Sequence, residues 1–196
     1  TMWPWEHVLF AYVPFSVGVH LLSRRRPTGP ETIVLAVGAV LPDLIDKPLS
    51  WQFDVFPTGY ALGHSVFFAA GASVAAVGVA RSRGATTAGL AAATGLCLHL
   101  VGDVLPIALD RGELTIQHLL WPIVTPDGPR ASHPSLVAGI AVYWTRYADQ
   151  VLAMEPRWVV SVQVGVALGV CLWVLDGAPG VRTLLRPGWV ALRRAG

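Results

Sequence analysis

The stretch Leu41-Pro42-Asp43-Leu44-Ile45-Asp46-Lys47-Pro48 decides how this chain is read. It closes the apolar run TIVLAVGAVL (32–41) with two carboxylates three residues apart and the only lysine of the protein. A run of that kind suits lipid, where ionisable groups are costly and by default mark a functional site. The expectation is a short membrane helix over 31–46 that ends at this octapeptide, at the membrane interface.

Composition places the whole chain in the same setting. Of its 196 residues, 54% are hydrophobic and 13% charged, with mean hydropathy +0.56. A soluble domain carries about 25% charged residues, so this chain has too little polar surface for water. A net charge of +2 and a pI near 8.8 are too mild to argue for a nucleic-acid partner. Arginines cluster at the ends of apolar runs, as in cytoplasmic loops. Cys97 and Cys171 lie inside apolar segments and read as small core residues, with nothing to favour a disulfide. TMWPWEH lacks a basic leader, so no cleavable signal peptide is expected.

A spanning helix needs roughly 20 apolar residues. Residues 7–23 qualify and run into Arg24-Arg25-Arg26; residues 61–80 qualify and run into Arg81 and Arg83. Residues 86–105 are rich in Ala and Gly, which favours close helix packing. Residues 158–175 are a further span, whereas Arg146 and Asp149 interrupt 134–152. The fold expected is all-α, a polytopic membrane helix bundle with five or six transmembrane segments. One domain covers 1–176, and a basic tail, 177–196 with Trp189, suits the membrane surface.

With RRR and RSR inside, the polar residues fall into register. His7 starts the first helix outside, and Asp43 and Asp46 arrive at the outer end of the second. His64 starts the third, and His99 and Asp103 finish the fourth. Nothing in the helix assignment required this common depth. His99 and Asp103 are spaced i, i+4 and Asp43 and Asp46 i, i+3, so each pair shares a helix face. Imidazole nitrogens and carboxylate oxygens suit zinc or a similar divalent ion. Three His and three Asp exceed the three protein ligands typical of one catalytic zinc, and a two-metal site would use them all.

Blander readings exist for each residue. A lone His in a membrane helix is as readily an interhelical hydrogen-bonding residue, the Asp pair can mark a helix end, and Asp103 can pair with Lys47 or an Arg. Taken together at one depth, the six residues favour a shared site. His20 falls at the opposite end and reads as structural. His118 and His133 lie in the outer loop as extra ligands or surface residues, Glu6 adjoins His7 as a candidate partner or acid/base, and Lys47 and Arg130 are placed to hold a phosphate. Ser65 follows His64 without completing a catalytic triad.

WEHVLFAY near the N-terminus, GAVLPDLIDKP, GHS at 63–65, HLVGD at 99–103 and LLWP at 119–122 together resemble the membrane-bound metal-dependent hydrolases. That prokaryotic family is distantly related to zinc-dependent phospholipase C. The resemblance covers roughly residues 5–123. It implies metal ligands at His7, Asp43, Asp46, His64, His99 and Asp103. Lys47 stands where many members have His, and Gly59-Tyr60-Ala61 where many have His-Arg-Gly.

The resemblance implies a multi-pass cell-membrane hydrolase holding one or two divalent ions, zinc first and manganese second. It would cleave a phosphoester, lipid-like in kind, at the outer face. Asp46 is then ligand, bridge or base, and Lys47 stabilises charge on the substrate. Two other readings compete. One is a non-enzymatic bundle with a structural metal or polar network. The other is a metal-independent lipid phosphatase with a His nucleophile, against which Ala92-Ala93 replace the Ser-Arg of its third motif.

Overall fold

A computed structural model of the chain describes residues 2–125, 133, 135–154 and 156–185. Among these the regular structure is entirely helical: α1 (Pro4–Ser23), α2 (Gly29–Trp51), α3 (Val66–Ser82), α4 (Thr86–Arg111), the 3-10 turn Gln117–Leu119 and α5 (Leu136–Ala153). Then α6 (Pro156–Trp158), a π-helical stretch (Val159–Gln163) and α7 (Val164–Leu175) follow one another without a break. The proposed surface tail falls mostly outside the described residues, as do Trp189 and Arg130.

Local chemistry explains the helix ends. Pro4 opens α1, where its missing N–H costs nothing, and the Glu6 carboxylate accepts from the Trp3 N–H at 2.7 Å. Glu6 is thereby the cap of α1 and not a partner of His7; its other oxygen accepts from Gln163 Nε2. α2 begins with a capping box, Thr28 and Glu31 each reaching the other's backbone N–H. Arg25 then grips Glu31 through two nitrogens at 2.6 and 2.8 Å, which fixes the short turn between α1 and α2.

The opening octapeptide does not end its helix. α2 runs on to Trp51 with Pro42 and Pro48 inside it. A helical proline leaves one carbonyl a turn earlier without its N–H, and inside a bundle neighbouring helices supply replacement donors. Next to the Gly38 carbonyl that Pro42 leaves without its helical N–H, His99 Nδ1 of α4 donates to the Ala39 carbonyl at 2.6 Å.

The α2–α4 contact is the most extensive between helices. A Cβ on Gly38 would strike the Ala92 carbonyl, and one on Gly95 would strike the Leu35 carbonyl and the Ala39 nitrogen. The two backbones touch through reciprocal glycines, the close packing expected of the Ala/Gly-rich segment. Around this seam Ala11, Tyr12, Phe15, Val19, Leu35, Ala39 and Ala91 form one buried cluster. α3 covers a second, with Ala69 against Leu96, Leu100 and Val104 of α4.

α2 and α4 run parallel, with α1 and α3 antiparallel to them, so the arginine-bearing turns at 24–28 and 83–85 lie at one end. α6 to α7 runs parallel to α1, since Gln163 meets Glu6 while Asp176 meets Tyr12, Ser16 and His20. α5 therefore leaves from and returns to the end opposite the arginines. Gln52 accepts from the Leu136 N–H at its start, Trp144 and Tyr147 pack on Trp3 and Trp5, and Tyr147 reaches Trp158. α5, which holds the described part of the ambiguous segment 134–152, lies across the bundle end and does not run along it.

Among the described residues one helix, over Thr86–Leu109, is long and apolar enough by itself to cross a membrane. α3 and α7 are apolar but shorter, and Glu31, Asp43, Asp46 and Lys47 interrupt α2. Cys97 and Cys171 are free and exposed on the outside of the bundle, not core residues.

Asp176, at the end of α7, ties that helix to α1. Tyr12 and Ser16 hydroxyls donate to one oxygen at 2.6 Å each, and His20 Nε2 meets the other at 2.7 Å. His20 is structural, as its position suggested. Burial pushes the Asp176 carboxyl up, but the bonds from Ser16, Tyr12 and His20 outweigh it and hold it below the usual carboxylate range. A carboxylate with a lowered folded-state pKa stabilises above its unfolded value, about 3.9, and loses that contribution as pH falls through the folded value. Asp176→Asn is expected to lower the thermal midpoint of detergent-solubilised protein at pH 7. Its deficit relative to wild type should shrink below about pH 4, and a deficit constant from pH 7 to 3 would contradict this.

Candidate metal centre

Asp46 organises the loop that delivers His64. Its carboxylate accepts from the backbone N–H groups of Ala61 (2.7 Å), Gly63 (2.8 Å) and His64 (3.1 Å), and from His64 Nδ1 (2.8 Å). Gly63 is needed because a Cβ there would run into the Pro42 backbone of α2. Ser65 then caps α3, accepting from the Phe67 N–H while donating to the Trp121 carbonyl at 2.6 Å. Its hydroxyl is occupied on both sides by these backbone groups.

Four side chains converge in front of that loop. His64 Nε2 lies 3.3 Å from Asp103 Oδ2, 3.4 Å from Asp43 Oδ1 and 3.2 Å from His99 Nε2. His99 Nε2 lies 3.5 Å from Asp103 Oδ2 and 3.8 Å from Asp43 Oδ1. His7 joins from α1, stacked on His99 with ring centroids 3.9 Å apart and with Nε2 3.6 Å from Asp103 Oδ1. Gly102 leaves room for that ring, since a Cβ there would press on it. His7, His64 and His99 are at most 1% exposed, and Asp43 and Asp103 are buried with them.

The hydrogen bonds fix which nitrogens carry protons. A carbonyl only accepts, so His99 Nδ1 bears the hydrogen and Nε2 presents a lone pair. Asp46, which already accepts from three backbone N–H groups, accepts from His64 Nδ1 in the same way, and a neutral His64 ring then presents Nε2 as a lone pair. His64 Nε2 and His99 Nε2 lie 3.2 Å apart and each within 3.8 Å of Asp43 Oδ1 and of Asp103 Oδ2; with both rings neutral, none of these atoms carries a hydrogen for the others. Asp103 Oδ2 and His7 Nδ1 have no hydrogen-bond partner although buried. Such a set is satisfied by a cation or by protonation. Two overlapping triads have ligand atoms within 4.8 Å of one another: His7, His99 and Asp103; and Asp43, His64 and His99. A histidine whose other nitrogen is tied to a carbonyl or carboxylate is the usual form of a metal ligand.

All six residues anticipated as ligands are brought together, in different stations. Asp46 stands behind His64 with both oxygens engaged by the loop and not opened onto the cluster. Asp103 faces histidines, not Lys47 or an arginine; Lys47 instead meets Asp43 Oδ2 at 2.5 Å, an ion pair bent off hydrogen-bond geometry. His118 packs edge-on to Tyr60 and His133 against Trp51 and Tyr143, both apart from the triads. Tyr60, whose ring lies 4.6 Å edge-on from His64, has no motif that marks it. Asp176 went unnoticed too, although the spacing Tyr12, Ser16, His20 on one face of an apolar helix signals a polar partner.

Asp46→Ala would strand three backbone donors and the His64 ring, at roughly 1–3 kcal/mol for each buried group left unpaired. It should open the 52–65 loop to proteolysis and lower the thermal midpoint by more than Asp43→Ala does. Equal loss in the two variants would remove Asp46 from this organising position.

Residues 2–178 match the YdjM inner membrane protein family. No curated protein and no solved structure matches the chain. The match covers the helices that build the cluster as well as the bundle around them, and it agrees with the composition; the chain belongs to the YdjM family of inner membrane proteins.

Proposed function

We propose that this inner membrane protein is a metal-dependent hydrolase of phosphoesters, with its centre at the outer membrane face. The observation that carries the reading is the convergence of His64 Nε2 and His99 Nε2 on Asp43 Oδ1 and Asp103 Oδ2, each nitrogen within 3.8 Å of both oxygens. These four residues would hold a divalent ion, zinc before manganese, and His7 would bind it directly or join a second ion through Asp103. His99 has one free nitrogen and so serves one ion; a second would have to be shared through a carboxylate. A bound divalent ion supplies Lewis acidity and brings the pKa of a water it holds toward ~7.

The protein's own groups divide the remaining work. Asp46 holds His64 in the ligating tautomer and does not itself ligate. The Ala39 carbonyl does the same for His99. Lys47 offsets part of the Asp43 charge and is the nearest cation to meet a phosphoryl oxygen. In this reading α1, α2, α3, α4 and the α6–α7 helix cross the membrane, five crossings in all, with the arginine turns in the cytoplasm. α5 lies along the outer interface.

The His64–Asp46 pair also suits a nucleophilic histidine, which is the specific feature favouring a metal-independent phosphatase. Against it, Asp43 and Asp103 oxygens crowd His64 Nε2 within 3.4 Å. Without a cation between them they would repel an incoming phosphate.

The test is metal content by mass spectrometry on the detergent-purified chain beside a His99→Ala, Asp103→Ala double variant. One or two equivalents of zinc or manganese are expected, absent from the double variant. Asp46→Asn should weaken the metal by about 10–100-fold. Phosphoester turnover lost to a chelator and restored by the metal completes the reading. A metal-free protein that stays so after reconstitution sinks it, and turnover indifferent to chelators transfers the assignment to the nucleophilic histidine.

A further inference from the structure

The cluster borders two cavities, one almost wholly apolar and one lined by aromatic and charged residues. The first, about 210 Å³, lies between α2 and α5 and is walled by Leu44, Pro48, Trp51 and Ile140, with Asp43 and Lys47 as its charged residues. Leu44 and Ile140 are 63% and 51% exposed at its edge, so an apolar rim leads to the buried Asp43. The second, about 500 Å³, is lined by Tyr60, Arg146, Asp149 and Gln150. Trp3 and Tyr143 line both and form the partition between them. The second cavity reaches the cluster through Tyr60, which touches the His64 ring.

Two cations flank that partition. Lys47 Nζ lies 5.7 Å and Arg146 Cζ 5.8 Å from the Tyr143 ring centroid, within reach of its π face. Arg146, which as sequence merely spoils a membrane span, is carried by α5 to the bundle end that holds the cluster. An apolar compartment and an aromatic one carrying Arg146, Asp149 and Gln150 thus meet at a lysine and an arginine near the candidate metal ligands. A soluble phosphoester would have no use for the apolar compartment. In a membrane protein, an apolar rim on the side of the bundle opens toward hydrocarbon.

We propose that the cavity between α2 and α5 takes the hydrocarbon chain of a membrane-resident phosphate amphiphile, while Lys47 and Arg146 hold its anionic head group beside the cluster. The inference rests on the hydrolase reading and names its substrate class, a phosphate-bearing lipid that enters sideways from the outer leaflet. Tyr143 is the positioning residue: both cations lie within 5.8 Å of its ring centroid, and its body walls the chain. Arg146 contributes a fork that grips phosphate oxygens in pairs.

The measurement is tryptophan quenching of the full detergent-solubilised chain by phosphatidic acid brominated on its acyl chains, since Trp51 and Trp3 line the apolar cavity. Saturable quenching is expected. Ile140→Phe, which fills the cavity, should remove the saturable component. Arg146→Ala should raise the half-saturation concentration about tenfold, or about 1.4 kcal/mol. Brominated diacylglycerol, with the same chains and no phosphate, should bind at least as weakly as phosphatidic acid does to Arg146→Ala. Equal quenching by both lipids, unmoved by either substitution, would overturn the proposal as general lipid contact. Displacement by glycerol phosphate as readily as by phosphatidic acid would overturn it in favour of a soluble ligand. Saturable lipid binding without metal or turnover would refute the hydrolase reading alone. Turnover of a soluble phosphoester without saturable lipid binding would refute this proposal alone.

Discussion

The backbone contact between α2 and α4 is the constraint on which the rest of this structure depends. Gly38 and Gly95 let the two helices touch without side chains between them. That distance brings the Ala39 carbonyl within 2.6 Å of His99 Nδ1. The hydrogen bond ties α4 to the backbone of α2 and puts the hydrogen of His99 on Nδ1, leaving Nε2 of the neutral ring toward the cluster. The parallel course of α2 and α4 sets Asp43 beside His99 and Asp103 in the same register. A wider interface would separate the carboxylates from the histidines and leave each a costly isolated charge in an apolar bundle.

Asp46 plays the matching part for the third element. A single buried carboxylate accepts four hydrogen bonds from one loop, and Gly63 lets that loop press against the Pro42 backbone. The two histidines that face each other are therefore oriented by different means, one by main chain and one by side chain. Such fixed orientation from behind is what the proposed ligand set would require, since its free nitrogens would have to meet an ion without rearrangement. Asp176 solves an analogous problem at the far end, gathering two hydroxyls and a histidine of α1 onto the end of α7.

α5 is the element whose placement changes the meaning of its sequence. Its Arg146 and Asp149 spoil it as a membrane span, yet across the bundle end they line a cavity beside the cluster. Trp3, Trp5, Trp144, Tyr147 and Trp158 form the aromatic packing that holds it there. Aromatic rings are at home where apolar and polar surroundings meet.

The amino-acid sequence by itself determined the membrane setting, the helical class and the common station of His7, Asp43, Asp46, His64, His99 and Asp103. Composition and helix-period spacing are local properties, and alternating helix direction turns them into depth. Only the tertiary structure decided that α2 continues through its prolines to Trp51, packed on α4 through Gly38 and Gly95. It alone separated Asp46, facing the loop, from Asp43, facing the histidines, since spacing puts both on one helix face and cannot say what each meets. It alone laid α5 across the end, because that course is set by where α6 begins relative to α1. Hydrophobic pattern assigns a residue to a face and a depth; partners are assigned by packing between elements far apart in the chain.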